Sequence, residues 1–208
     1  MPISAVYVDV DPNGGPLTVA IDRSAASTAT RSWNIQVDQI PCSSTTRAPT
    51  GCLQYFTETS GTVMSFNFQN TITTGTPQIA NTNYGVCIEM AAGYCGIIWE
   101  RDTTVGDNGF TVSGNAAVLA PGLIGTPDAS ATGTADCTED YIIIPGGVDD
   151  AGNLADRYCG LGFPNMVTST QKPFTMFVVT NDNEDADAAG TIGTNSGFSL
   201  NYRQTTTC

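Results

Sequence analysis

Seven cysteines are the residues best equipped for chemistry in this 208-residue chain, and the absence of any histidine narrows what that chemistry can be. No cysteine stands in a Cys-x-x-Cys pair and no imidazole is available, so the usual Cys/His zinc spacings are missing and the cysteines read as disulfide formers. Disulfides persist in oxidising compartments, which makes the chain secreted or extracellular by expectation. Because seven is odd, at least one cysteine is unpaired or bonded to another chain. The lack of histidine also removes Ser-His-Asp and Cys-His arrangements, and without a Gly-Lys-Ser/Thr run there is no P-loop. Proton transfer would fall to carboxylates or to the seven basic residues, Lys172, Arg23, Arg31, Arg47, Arg101, Arg157 and Arg203. A carboxylate pair can hydrolyse a glycosidic bond, but no acidic residue here has a sequence context pointing to a pocket. The chain is expected not to be an enzyme.

Twenty acidic side chains against seven basic ones give a formal charge of −13. Nucleic acid and anionic membrane surfaces both require a basic face, so neither is expected as a partner. A cationic partner or Ca²⁺ suits this balance better. No apolar run approaches the 18 or so residues needed to span a bilayer, so no membrane insertion is expected. Met1–Ser4 does not read as a signal peptide, which leaves a removed signal or a fragment of a longer chain. The densest acidic run is 181–187, Asn-Asp-Asn-Glu-Asp-Ala-Asp.

The elements positioning these residues are short strands. Gly and Pro interrupt the chain every few residues, Thr, Val and Ile are plentiful, and no helical period is sustained. Val6–Val10, Leu17–Ile21, Trp33–Asp38, Val63–Phe68, Tyr84–Met90, Gly93–Glu100, Phe110–Val112, Tyr141–Ile144, Phe174–Thr180 and Gly197–Tyr202 all read as strands. Tyr84–Met90 and Gly93–Glu100 flank a tight turn and read as a hairpin. Trp33 and Trp99 fall on alternating faces and are expected in the core. Such a pattern predicts an all-β, two-sheet antiparallel sandwich of the jelly-roll kind. Residues 101–136, rich in Gly, Ala, Thr, Pro and Asp, read as a long surface insertion.

An internal repeat divides the chain. Pro173–Val178 mirrors Pro16–Ile21, and Gly197–Gln204 mirrors Ser32–Gln39; each copy ends in a cysteine, Cys208 or Cys42. Residues 1–42 therefore read as the closing strands of a preceding domain of the same kind, and 43–208 as the complete module. Cys42 and Cys208 are the candidates for the unpaired or intermolecular cysteine. The geometry of a hairpin turning at Ala91 would also allow a Cys87–Cys95 bridge, leaving Cys42 to join Cys52.

The run Cys137-Thr-Glu139-Asp140-Tyr141-Ile142, turning at Gly147 and followed by Arg157-Tyr158-Cys159-Gly160, resembles the second half of a CUB domain. Cys52, the run Gly61–Phe68 and Tyr84–Ile88 are similar to its first half, and Asn181-Asp182, Gly197-Phe198 and Tyr202 to its close. The resemblance covers residues 52–204, and its wording is similar to that of secreted arthropod CUB proteins. It implies a disulfide-stapled jelly-roll sandwich, the pairs Cys137–Cys159 and Cys52–Cys87, and a Ca²⁺ site in which Asp140 and Asp182 stand on two ligand positions. The family's glutamate is missing from the strand before Cys137, so Asp136, Glu139, Glu184 or Asp185 would have to substitute. The function implied is an extracellular, non-catalytic recognition module, Ca²⁺-dependent, binding a protein or glycan ligand through loops at one end of the sandwich. The alternative, drawn from the repeat and the odd cysteine, is a structural component that assembles as a homo-oligomer or through disulfide links.

Overall fold

The computed structural model describes residues 5–11, 13–21, 32–68, 78–113, 123, 125–182 and 195–208. Twelve strands build the described part: β1 Cys52–Phe56, β2 Ser60–Met64, β3 Asn83–Ile88, β4 Gly96–Arg101, β5 Phe110–Thr111, β6 Ser130–Thr132, β7 Tyr141–Ile143, β8 Val148–Asp149, β9 Arg157–Gly160, β10 Met166–Ser169, β11 Phe174–Val179 and β12 Gly197–Thr205. One sheet runs β1-β3-β11-β7-β9-β6 and the other β2-β12-β4-β10-β8, with β5 pairing the start of β12. Every pairing is antiparallel except β1 with β3, which run parallel. This is the expected two-sheet sandwich.

Alternation explains the layers. Phe174, Met176 and Val178 point inward from β11, and Phe198, Leu200 and Tyr202 from β12. They meet Val63, Trp99, Phe110, Ile142, Phe163 and Val167, all buried, in one continuous core. Each such side chain contributes about 1.5–3 kcal/mol by leaving water.

Three disulfides staple the sandwich: Cys52–Cys87, Cys95–Cys208 and Cys137–Cys159, with Cα separations of 5.6, 6.1 and 5.6 Å. These lie in the ordinary disulfide range. The Cys87–Cys95 and Cys42–Cys52 alternatives do not form, and Cys208 is not the unpaired cysteine. The reason is the connection at Ala91: β3 belongs to one sheet and β4 to the other. That turn is an arch between layers rather than a hairpin, so Cys87 faces β1 while Cys95 lies beside the end of β12, where Cys95 N donates to Thr205 O at 2.9 Å. Cys42 is free and exposed.

The stretch 101–136 is more than a surface insertion. Its β5 adds to β12, its β6 forms the edge of the first sheet beside β9, and Phe110, Val112 and Ala129 are buried. In contrast, the described residues before Cys42 form no strand. A strand needs a ladder partner, and among the described residues the main-chain bonds seen from this segment to the module are Tyr7 N to Leu53 O and the local turn bond Ser44 N to Pro41 O, both at 2.9 Å. Trp33, expected in the core, is 55% exposed, whereas Trp99 is buried. Among the described residues no helix is long and apolar enough to cross a membrane.

Candidate functional site

The start of β7, the end of β11 and the start of β3 meet at one end of the sandwich, because β11 runs antiparallel to both neighbours and sets Val179 opposite Tyr141 and Asn83. Asp140 immediately precedes β7, and Asn181 and Asp182 follow β11. The Asn181 N–H donates to Asp140 Oδ1 at 2.7 Å, and the Asn181 side-chain amide donates to Glu139 Oε2. Asn181 O in turn accepts from Asn81 N at 2.6 Å. Asp140 is buried to 2% exposure. Burial pushes its carboxyl up to about 6; the Asn181 N–H and the Gln78 amide pull the other way, and the Glu139 carboxylate adds to the rise.

Polar residues continue around this end. Thr82 and Thr180 share a hydroxyl–hydroxyl bond of 2.8 Å, and the Thr180 hydroxyl also accepts from Thr82 N at 2.8 Å. Gln78 N donates to Asn195 O at 2.7 Å and Gln78 Nε2 to Val112 O at 2.9 Å, tying the loop before β3 to the stretches beside β5 and β12. A small crevice opens here between Ser65, Phe66, Gln78, Thr82, Tyr84 and Thr180. The Oδ1 of buried Asn195 has no hydrogen-bond partner among the described residues.

The structure thus brings Asp140 and Glu139 together on Asn181, with Asp182 next in sequence and exposed. Asp136 is exposed in the turn before Cys137. Glu184 and Asp185 lie outside the described residues. Among those residues no three acidic or cysteine side chains converge as a metal group. Ca²⁺ takes six to eight oxygens, so the Asp140–Glu139 pair has suitable hard donors but makes up only part of a ligand shell.

Asp102 was not apparent as a site residue from the sequence. It is buried, and its Oδ1 accepts from Thr104 N at 3.0 Å and Thr104 Oγ1 at 2.6 Å while Oδ2 accepts from Ser199 Oγ at 2.8 Å. Burial opposes ionisation, but these bonds together hold its carboxyl below the usual carboxylate range. The Asp-Thr-Thr run is the local signal that could have found it, since Asp favours turns that cap the second residue on.

The family model of the animal CUB domain matches residues 49–205. Among solved structures, the chain is similar to the CUB1-EGF-CUB2 domains of rat MASP-1 at 15% identity and a TM-score of 0.41, covering 74% of this chain and 40% of that one. It is likewise similar to the CUB1-EGF-CUB2 domain of human MASP-1/3 at 18% identity and a TM-score of 0.42, covering 74% and 42%. The chain thus spans about two fifths of the length of both structures. No curated protein matches it.

Proposed function

This chain belongs to the animal CUB domain family, and from that premise we propose that it is a non-catalytic recognition module that engages a protein or glycan ligand at the Asp140 end of the sandwich, with Ca²⁺ as part of the contact. CUB domains are extracellular modules that mediate protein interactions, and three disulfides fit a secreted protein. The observation that carries the reading is the convergence of Asp140 and Glu139 on Asn181 in a loop cluster whose frame is fixed by strands. Rigid strands presenting variable loops are the usual basis of recognition. A formal charge of −13 favours a ligand that brings positive charge to this end. Ca²⁺ is supported by chemistry: a divalent cation would relieve the repulsion between neighbouring carboxylates and the penalty that holds Asp140 near 6. Asp182, exposed and next to Asn181 in sequence, offers a further carboxylate towards an oxygen shell.

Ca²⁺ titrated into metal-stripped protein tests the metal: a ligand that binds the native state alone must raise the melting temperature as its excess over Kd grows. A rise that Asp182→Ala removes is the expected result; no rise up to millimolar Ca²⁺ withdraws calcium. Arrays of glycans and of synthetic basic peptides test recognition, with Glu139→Gln/Asp182→Asn as the comparison. Ligands held equally well by the double variant would show that another face does the binding.

A further inference from the structure

We propose that Leu17–Ile21 and Trp33–Asp38 are the last two strands of a second CUB-like sandwich, and that Cys42 forms with that sandwich the bond that Cys208 forms with Cys95 here. The partner is therefore a CUB-like domain lacking its own two closing strands, with a cysteine where this module has Cys95.

The inference joins the repeat to the structure. In the second copy, Phe174, Met176 and Val178 are buried at 0–3% exposure, as are Phe198, Leu200 and Tyr202. Their counterparts in the first copy keep apolar character at every inward position: Leu17, Val19 and Ile21, then Trp33, Ile35 and Val37. All six are 49–59% exposed. The described residues of this segment form no strand, so their ladder groups meet no partner strand among the described residues. Period-two apolar stripes with unpaired backbone are the form a strand takes when its sheet is elsewhere.

The polar end of the repeat agrees. Gln204 accepts from Ala91 N at 2.9 Å and donates to Glu89 O at 2.7 Å, clamping the arch that leads to Cys95. Gln39 repeats this residue, and Cys42 follows Gln39 with two residues between where Cys208 follows Gln204 with three. Cys208 bonds Cys95, and Cys42 is free and exposed. A second copy of this chain is a poor occupant, because its own β11 and β12 already fill both places and one is locked by Cys95–Cys208. Ahead of the segment, Tyr7 packs edge-on to Tyr55, ring centroids 6.0 Å apart.

Grafting within the full chain tests equivalence. Leu17–Ile21 replaces Phe174–Val178 and Trp33–Cys42 replaces Phe198–Cys208, with the original Cys42 changed to Ser. The control carries the same grafts with adjacent residues exchanged, so that the apolar face is inverted. The expected result is a Cys95 bond to the grafted cysteine and one cooperative melt in the graft, with both lost in the control. Each strand is also grafted alone beside its native partner. If both single grafts give no more Cys95 bond than their inverted controls, the proposal is overturned even where the double graft fails to fold. A purified chain that pairs with itself through Cys42–Cys42 bonds and buries Trp33, read as a fluorescence blue shift reversed by dilution and reductant, assigns the segment to a second copy and overturns it too.

Discussion

Asn181 donates its main-chain N–H to Asp140 at 2.7 Å, and this bond fastens the exit of β11 to the entrance of β7. It also places a carboxylate where burial opposes its charge. The folded-state carboxyl sits at about 6 against an ordinary 3.8. The native state therefore holds a proton that the unfolded chain gives up, so this group's stabilisation is complete below 3.8 and is lost as pH rises through 6. Asp140→Asn keeps an oxygen for Asn181 and cannot ionise. Its stability relative to the parent is expected to climb by about 1–3 kcal/mol between about pH 4 and pH 7 in Ca²⁺-free buffer. Urea melts across that range check it, and a constant difference would show that Asp140 is not the titrating group.

Asp102 should behave with the opposite sign. Its carboxyl lies below the usual range although burial works against ionisation, because Thr104 and Ser199 donate to it. Its stabilisation is present above the unfolded value of 3.8 and lost as pH falls through the depressed folded value. Asp102→Ala leaves three donors without their acceptor and is expected to cost about 2–4 kcal/mol at neutral pH. That deficit should narrow as the medium approaches pH 2. A deficit equally large in acid would mean that packing, not charge, is what Asp102 supplies.

These two aspartates show how far the sequence can be read. Asp140 was visible because it sits in a Cys-Thr-Glu-Asp-Tyr run with a family resemblance, and its strand alternates cleanly into the core. Asp102 has no such context, and its partner Ser199 is remote in sequence, so only the pairing of β12 with β4 brings them together. The same limit applies to the arch at Ala91. Local turn residues fit a hairpin, and which sheet each flanking strand joins is decided by long-range burial. Strand existence was legible at Phe174–Val179 and its like, where alternation is long and apolar, whereas β1, β6, β8, β9 and β10 are paired strands that the sequence reading did not mark. It failed at Leu17–Ile21 and Trp33–Asp38, where the apolar alternation is as good and the ladder is absent.

The Cys95–Cys208 bond closes the longest loop of the three, with a sequence separation of 113. It fastens the end of β12, the strand that pairs β2, β4 and β5. Cross-linking acts chiefly on the unfolded chain, and a loop of this size corresponds to about 4–5 kcal/mol. The nested Cys137–Cys159 bond shortens the effective loop, so Cys95→Ser/Cys208→Ser is expected to lose about 3–4 kcal/mol. Chemical denaturation of the double variant, with the other two bonds verified by peptide mapping, measures this. A loss below about 1 kcal/mol would indicate that the pairings of β12 already restrict its end without the covalent bond.

Gly197 and Gly152 separate backbone strain from packing. Both adopt the left-handed region, at φ of 88° and 86°. A Cβ on Gly152 would meet nothing within 4 Å, whereas one on Gly197 would come 2.0 Å from Ser65 Oγ. That oxygen cannot simply turn away, because it accepts from Phe198 N at 3.0 Å and Ser65 N donates to Phe198 O at 3.0 Å. Gly152→Ala should therefore cost only the conformational penalty, about 1–2 kcal/mol. Gly197→Ala adds displacement of a buried hydroxyl and a break in the start of β12, for a total of about 3–4 kcal/mol. Adding Ser65→Ala to Gly197→Ala should return part of the excess by making room. If the two glycine variants lose the same stability, the start of β12 yields more easily than its hydrogen bonds imply.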